Sequence, residues 1–215
     1  MNYVDKNQIK KIKTWLGAGS INIFGIPFAG KDTQGKRLAE LFGGVLLGGG
    51  DILRGSVIPE HIQEDVAAGR LIPTDDYLQI VLPYLSQEDF KGKPLILSSV
   101  GRWHGEEAGV LEATAAADHP LRIVIYLHVK EGEERKRWQI SQSTQDRGTR
   151  VDDSEDILLT RLEEFKTKTI PVINFYRDEG MVIEINGNQS PEQVTADIIS
   201  ALNERIREQE ALQSD

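Results

Sequence analysis

Lys31 and Thr33 close a glycine-flanked stretch, Gly25-Ile-Pro-Phe-Ala-Gly-Lys-Asp-Thr33, whose residue types suit the binding of phosphate. Gly25 and Gly30 let the backbone curl so that successive N–H groups point at one anion. Lys31 brings a positive charge to outer phosphates, and the Thr33 hydroxyl is placed for a Mg²⁺ ion. Asp32 is an acid beside that site, although acids are also favoured in a first helical turn. Arg54 and Arg102 fall where strands are expected to end, and Arg150 and Arg161 flank the start of a long helix. The planar fork of Arg bonds phosphate oxygens in pairs, which suits the charge neutralisation that phosphoryl transfer needs. Asp51 caps the helical segment that carries Arg54, and Asp152-Asp153 is read chiefly as the cap of the long helix.

Such a loop works only between a strand and a helix, and the flanks supply both. Ile21–Phe24 is a short apolar run, and Leu38, Leu41 and Phe42 give the following segment a buried stripe. Further strands are expected at 45–47, 94–99, 121–127 and 181–185, alternating with helices. Nearly every residue of 94–99 is apolar, as in a strand covered on both faces. Ile9, Ile12 and Trp15-Leu16 have helical spacing ahead of the first strand, so residues 1–19 form either a packed helix or a mere leader. Helices are also expected over 58–70, from Thr74, over 106–117 and 131–142, and from Asp153 to about Asp178 with a kink at Pro171. The alternation argues for a parallel sheet with helices on both faces.

The 215 residues fit one α/β domain with small insertions. Asp and Glu number 34 against 25 Lys and Arg, a net charge of −9, which argues against general nucleic-acid binding. Cysteine is absent, so disulfides and cysteine-ligated zinc are excluded. No apolar run reaches membrane-spanning length and the N-terminus has no signal-peptide core, so a cytoplasmic location is expected. The His residues show no ligand spacing, and neither a G-x-S-x-G motif nor a paired-carboxylate arrangement is present.

The order of these motifs resembles the adenylate kinase family of nucleoside monophosphate kinases. Gly25–Thr33 with Gln34-Gly35 resembles G-x-P-G-x-G-K-G-T-Q, and Gly48-Gly-Gly-Asp-Ile-Leu-Arg54 resembles S-T-G-D-M-L-R. Ala68-Gly-Arg-Leu-Ile-Pro73 is similar to A-G-x-L-V-P, and Ser98-Ser-Val-Gly-Arg102 occupies the slot of D-G-F-P-R. Arg150-Val-Asp-Asp153 with Arg161-Leu162 matches R-x-D-D…R-L, and Thr169–Tyr176 looks like T-x-P-L-I-x-Y-Y.

The resemblance implies a P-loop NTPase fold, with a five-stranded parallel sheet, a small acceptor-binding helical insertion and a short zinc-free lid. Residues 1–19 would be an N-terminal helical extension and 20–215 the kinase domain, with the acceptor part near 48–77 and the lid near 137–150. It implies reversible phosphoryl transfer between ATP and AMP with Mg²⁺. A monomer is expected, with ATP and a nucleoside monophosphate as partners and with neither nucleic acid nor membrane.

Carried over residue by residue, Gly25, Ala29, Gly30, Lys31, Asp32 and Thr33 would hold ATP. Arg137 would lie against its adenine, and Arg147 would stand in for a basic residue replaced by Ser141. Gly49, Arg54, Arg70, Ile72, Arg102 and Glu106 would form the acceptor site. Lys31, Arg102, Arg150 and Arg161 would surround the transferring group, and Thr33, Asp51 and Ser98 would lie on the metal side. Other positions also depart from the family pattern. Ser98 replaces a metal-linked Asp, and Gly49 and Glu106 replace the Thr and Gln that read the acceptor adenine. Another acceptor, GMP first, and a nucleotide-binding protein with reduced or lost catalysis therefore stand as alternatives. Glu106 has a second reading, as an acidic first-turn residue of its helix.

Overall fold

The computed structural model describes residues 5–49, 62–64, 68, 82–144 and 154–212. The strands β1 (Ser20–Phe24), β2 (Val45–Gly48), β3 (Leu95–Ser98), β4 (Leu121–His128) and β5 (Val182–Asn186) form one parallel sheet in the order β2-β3-β1-β4-β5. Their side chains alternate between two apolar layers. Ile21, Ile23, Ile96, Ile123 and Ile125 face one layer, while Phe24, Leu95, Leu97 and Val124 face the other. Burial of both faces explains why these strands read as continuous apolar runs.

The first layer is covered by α1 (Lys6–Leu16), α2 (Lys31–Phe42) and α7 (Pro191–Leu212). Asp5 caps α1 by accepting from the Asn7 N–H at 2.9 Å. Ile12 and Leu16 are fully buried, and Trp15 Nε1–H donates to Gln209 Oε1 on α7 at 2.9 Å. The N-terminal segment is thus a packed helix rather than a leader. In α2, Gly35 sits so close to β2 that a Cβ there would lie 2.6 Å from Leu46 Cδ1. Gln34 ties α2 to α7, its amide donating to Pro191 O at 2.9 Å and accepting from the Thr195 hydroxyl at 2.7 Å.

The second layer is covered by α3 (Glu107–Ala116), α6 (Ile170–Asp178) and Phe165, while α4 (Glu133–Thr144) follows β4 and α5 (Glu155–Glu164) leads into Phe165. Ser154 caps α5, its hydroxyl accepting from the Ile157 N–H. The kink expected at Pro171 takes the form of a π-helical turn, Phe165–Thr169, between α5 and α6. Proline lacks an N–H and its ring clashes with the carbonyl of an α-helical preceding turn, and a widened turn relieves both demands. The helices expected over 58–70 and from Thr74 lie outside the described residues, apart from 62–64. Leu82–Ser86 and Glu88–Phe90 are short 3₁₀ turns. Asp152 and Asp153 also lie outside. Among the described residues, no helix is long and apolar enough to cross a membrane.

Because α1 completes a core layer, Leu16→Ala should lower the unfolding free energy by about 2–5 kcal/mol. Urea denaturation checks this, and an unchanged midpoint would make α1 dispensable.

Candidate functional site

In an open parallel sheet, ligands bind beyond the carboxyl ends of the strands where the chain switches direction across the sheet. Here β1 leads outward to β2, and β3 then returns past β1 to β4, so the crevice lies beyond β1 and β3. The Gly25–Thr33 loop springs from that end of β1. Gly25 fits tightly, since a Cβ would approach Leu127 O to 2.9 Å. Gly30 ends the loop in a left-handed conformation (φ 95°, ψ 16°), and α2 starts at the next residue. Lys31 Nζ donates to Gly25 O at 2.8 Å and to Ile26 O at 2.9 Å, which holds the ammonium over its own loop. Ala29 is buried beneath it.

Arg137 reaches the same loop from α4. Its guanidinium donates to Phe28 O and Ala29 O at 3.4 and 3.3 Å, and to Gly187 O at 2.7 Å. It thereby joins the phosphate loop to the turn after β5.

The segment after β3 is held from inside the sheet. Asn22, fully buried in β1, donates to Val100 O at 2.6 Å and accepts from the Val100 N–H at 3.2 Å. Ser99 N–H donates to Ile23 O at 3.0 Å. Arg102 follows this segment and is half-buried. Ser98, at the end of β3, donates its hydroxyl to Asp32 Oδ1 at 3.0 Å, across a sequence gap of 66 residues. Thr33 is exposed, so the side chain bonded to the β3 end is that of Asp32, directly after the lysine.

Beyond Arg102 the chain folds around two buried carboxylates. Glu106 Oε2 accepts from the Trp103 N–H at 3.0 Å. Glu107 Oε2 accepts from the Gly105 N–H at 2.6 Å, and Glu107 Oε1 bonds His104 Nδ1 at 2.9 Å. Burial pushes the Glu106 carboxyl up to about 7, because desolvation outweighs the hydrogen bonds it takes from the Trp103 and Arg102 backbone. The position expected to read an acceptor base therefore also closes its own loop. His119 is structural, with Nδ1 2.7 Å from Ala18 O.

Gly49 is buried just past β2, and Arg161 lies half-buried on α5. Asp51, Arg54, Arg70, Ile72, Arg147 and Arg150 lie outside the described residues. Among the described residues, no cluster of three or more His, Asp or Glu side chains could hold a metal by itself. That is the ordinary situation for Mg²⁺, which is held by one or two carboxylates together with substrate phosphates.

Sequence reasoning missed the contributions of Asn22, Phe28 and Ser99. Phe28 and Ser99 have positive φ angles of 61° and 54°. Both stand where the motifs G-x-P-G and D-G-F-P-R carry glycine, which was the available signal. The left-handed backbone is kept without the glycine, at a cost of about 1–2 kcal/mol each. Asn22 carried no signal beyond being polar within an apolar run.

A family model described as adenylate kinase matches residues 23–181. The chain is 31% identical over 185 residues to an adenylate kinase of Kocuria rhizophila, covering 84% of this chain and 96% of that protein. It is also 31% identical over 193 residues to an adenylate kinase of Nitrobacter hamburgensis, covering 86% and 92%. Among solved structures, a gluconokinase from Sinorhizobium meliloti superposes with a TM-score of 0.60 at 19% identity, covering 92% of this chain and 98% of that one. This last likeness concerns the fold, that of P-loop kinases.

The Glu106 proton gives a pH signature. Its carboxyl titrates near 7 in the folded chain and near 4.5 when unfolded, so the folded state binds more protons between these values. Stability should therefore fall as pH rises through that window and level off above it, by on the order of 3 kcal/mol. Urea midpoints of parent and Glu106→Gln between pH 4.5 and 8 check this, and the difference between them should carry that slope. Parallel curves would remove Glu106 as its source.

Proposed function

Because the chain belongs to the adenylate kinase family, we propose that it catalyses the reversible conversion of ATP and AMP into ADP, with Mg²⁺. The observation that carries this reading is the loop between β1 and α2, with Lys31 drawn over the Gly25 and Ile26 carbonyls and the helix start directly behind it. Loop N–H groups and the positive end of α2 receive the donor phosphates. Lys31 turns from the loop carbonyls to the outer phosphate oxygens. Arg137 holds the loop's far side and lies against the donor adenine.

Arg54 and Arg102 hold the acceptor phosphate, and Arg150 and Arg161 gather the transferring group. An oxygen of the AMP phosphate attacks the γ-phosphorus in line as the bond to the bridging oxygen breaks. Catalysis is then positioning and charge neutralisation. The Asp32 carboxylate and Ser98 hydroxyl, 3.0 Å apart beside Lys31, are the hard oxygen donors that Mg²⁺ prefers. When bound, Mg²⁺ would supply charge neutralisation at the phosphates. We place the protein in the cytoplasm, as a monomer.

GMP is the competing acceptor, favoured by Glu106. Above about pH 7, where Glu106 is ionised, its carboxylate only accepts, which suits the N1–H and N2–H of guanine better than adenine N1. The bond from the Trp103 N–H to Glu106 Oε2 occupies part of that capacity, and this favours AMP.

Coupled ADP formation should be measured with AMP, GMP, CMP and UMP at fixed ATP and Mg²⁺. AMP should be turned over fastest, and Lys31→Ala should cut the rate by about 10²–10³ while the chain still folds. A GMP preference would move base reading to Glu106. No turnover with any acceptor would contradict the kinase reading.

A further inference from the structure

Two departures from the family motifs meet in space. Where the loop motif has glycine after its lysine, this chain has Asp32. Where the β3 motif has aspartate, this chain has Ser98. Ile23 of β1 pairs in register with Ser98 of β3, which sets the β3 end beside the loop. The Ser98 hydroxyl then donates to Asp32 Oδ1 at 3.0 Å. Ser98 is buried and fixed by its strand, and Asp32 is half-buried in the first turn of α2.

Resting on the phosphoryl-transfer reading above, we propose that these two positions have exchanged their side-chain chemistry. The carboxylate on the metal side of the phosphate site stands at Asp32, and the β3 end contributes the hydroxyl that orients it. The geometry supports the exchange in three ways. The position directly after the lysine is the one from which phosphate loops hold their divalent cation. The hydroxyl at the strand end hydrogen-bonds the carboxylate, as a residue supporting a metal-side carboxylate does. The third is a matter of charge. An acid beside the phosphate cradle repels the substrate, and the start of α2 offsets only part of that repulsion. A divalent cation between carboxylate and phosphates reverses the sign, so Asp32 opposes nucleotide binding without the cation and favours it with the cation.

That reversal separates the proposal from a plain capping role. Affinity for a non-hydrolysable ATP analogue should be measured by calorimetry in excess Mg²⁺ and in EDTA. The variants are Asp32→Asn, Asp32→Gly and the double swap Asp32→Gly/Ser98→Asp. In Asp32→Asn and Asp32→Gly, binding should tighten in EDTA and weaken in Mg²⁺, shrinking the ratio of the two affinities by about tenfold or more. The double swap, which puts the carboxylate back on β3, should restore the parent ratio. Asp32→Asn keeps the side-chain shape and an oxygen to accept from Ser98, so it serves even if the swap folds poorly. An unchanged ratio in Asp32→Asn would overturn the proposal and leave Asp32 as a first-turn acid. A folded double swap that stays at the low ratio would overturn the exchange. A parent that binds no analogue in either buffer would overturn the reading of the site itself, and this proposal with it.

Discussion

Asn22 lies fully buried in β1, and its amide makes both the hydrogen bond to Val100 O and the one from the Val100 N–H. A parallel pair of strands diverges once its ladder ends, and β3 ends at Ser98. The Asn22 amide, with the Ser99 N–H on Ile23 O, keeps the chain pressed to β1 for two further residues. Those are the residues that aim Ser98 at the phosphate loop and launch Arg102. Replacing the amide with an apolar group would leave the Val100 N–H and C=O buried without these partners, at about 1–3 kcal/mol each. The contact between Asp32 and Ser98 and the direction in which the chain leaves toward Arg102 both depend on this clamp.

Strain and buried charge concentrate around the same crevice. Phe28 and Ser99 carry left-handed backbone on its two sides. Glu106 and Glu107 sit buried beside it and are satisfied chiefly by backbone N–H groups of the Arg102–Glu107 loop. Such local costs persist where the surroundings over-determine the geometry, and they cluster where a site must be shaped before its ligand arrives. In a chain of net charge −9, the cations Lys31 and Arg137 both bond carbonyls of the loop at this end of the sheet.

The strands were legible in the sequence because burial on both faces makes each a run of apolar residues. α1 was legible from its spacing, though whether it packs depends on α7, nearly two hundred residues away in the chain. The phosphate loop was legible because its chemistry is local: glycines, lysine and helix start are consecutive. Asn22, Ser99 and the partnership of Asp32 with Ser98 were not, since each depends on which strands become neighbours. The π turn before Pro171 shows the same limit: the sequence marks the conflict, and packing against the second core layer selects its resolution.

The central claim is that donor phosphates sit on the loop between β1 and α2, under Lys31. Amide hydrogen exchange with and without a non-hydrolysable ATP analogue and Mg²⁺ tests it most directly. New protection is expected at Gly30, Lys31, Asp32 and Thr33, which stand at the start of α2. Protection confined to the outer surface of α1 and α7, with those four amides unchanged, would contradict it.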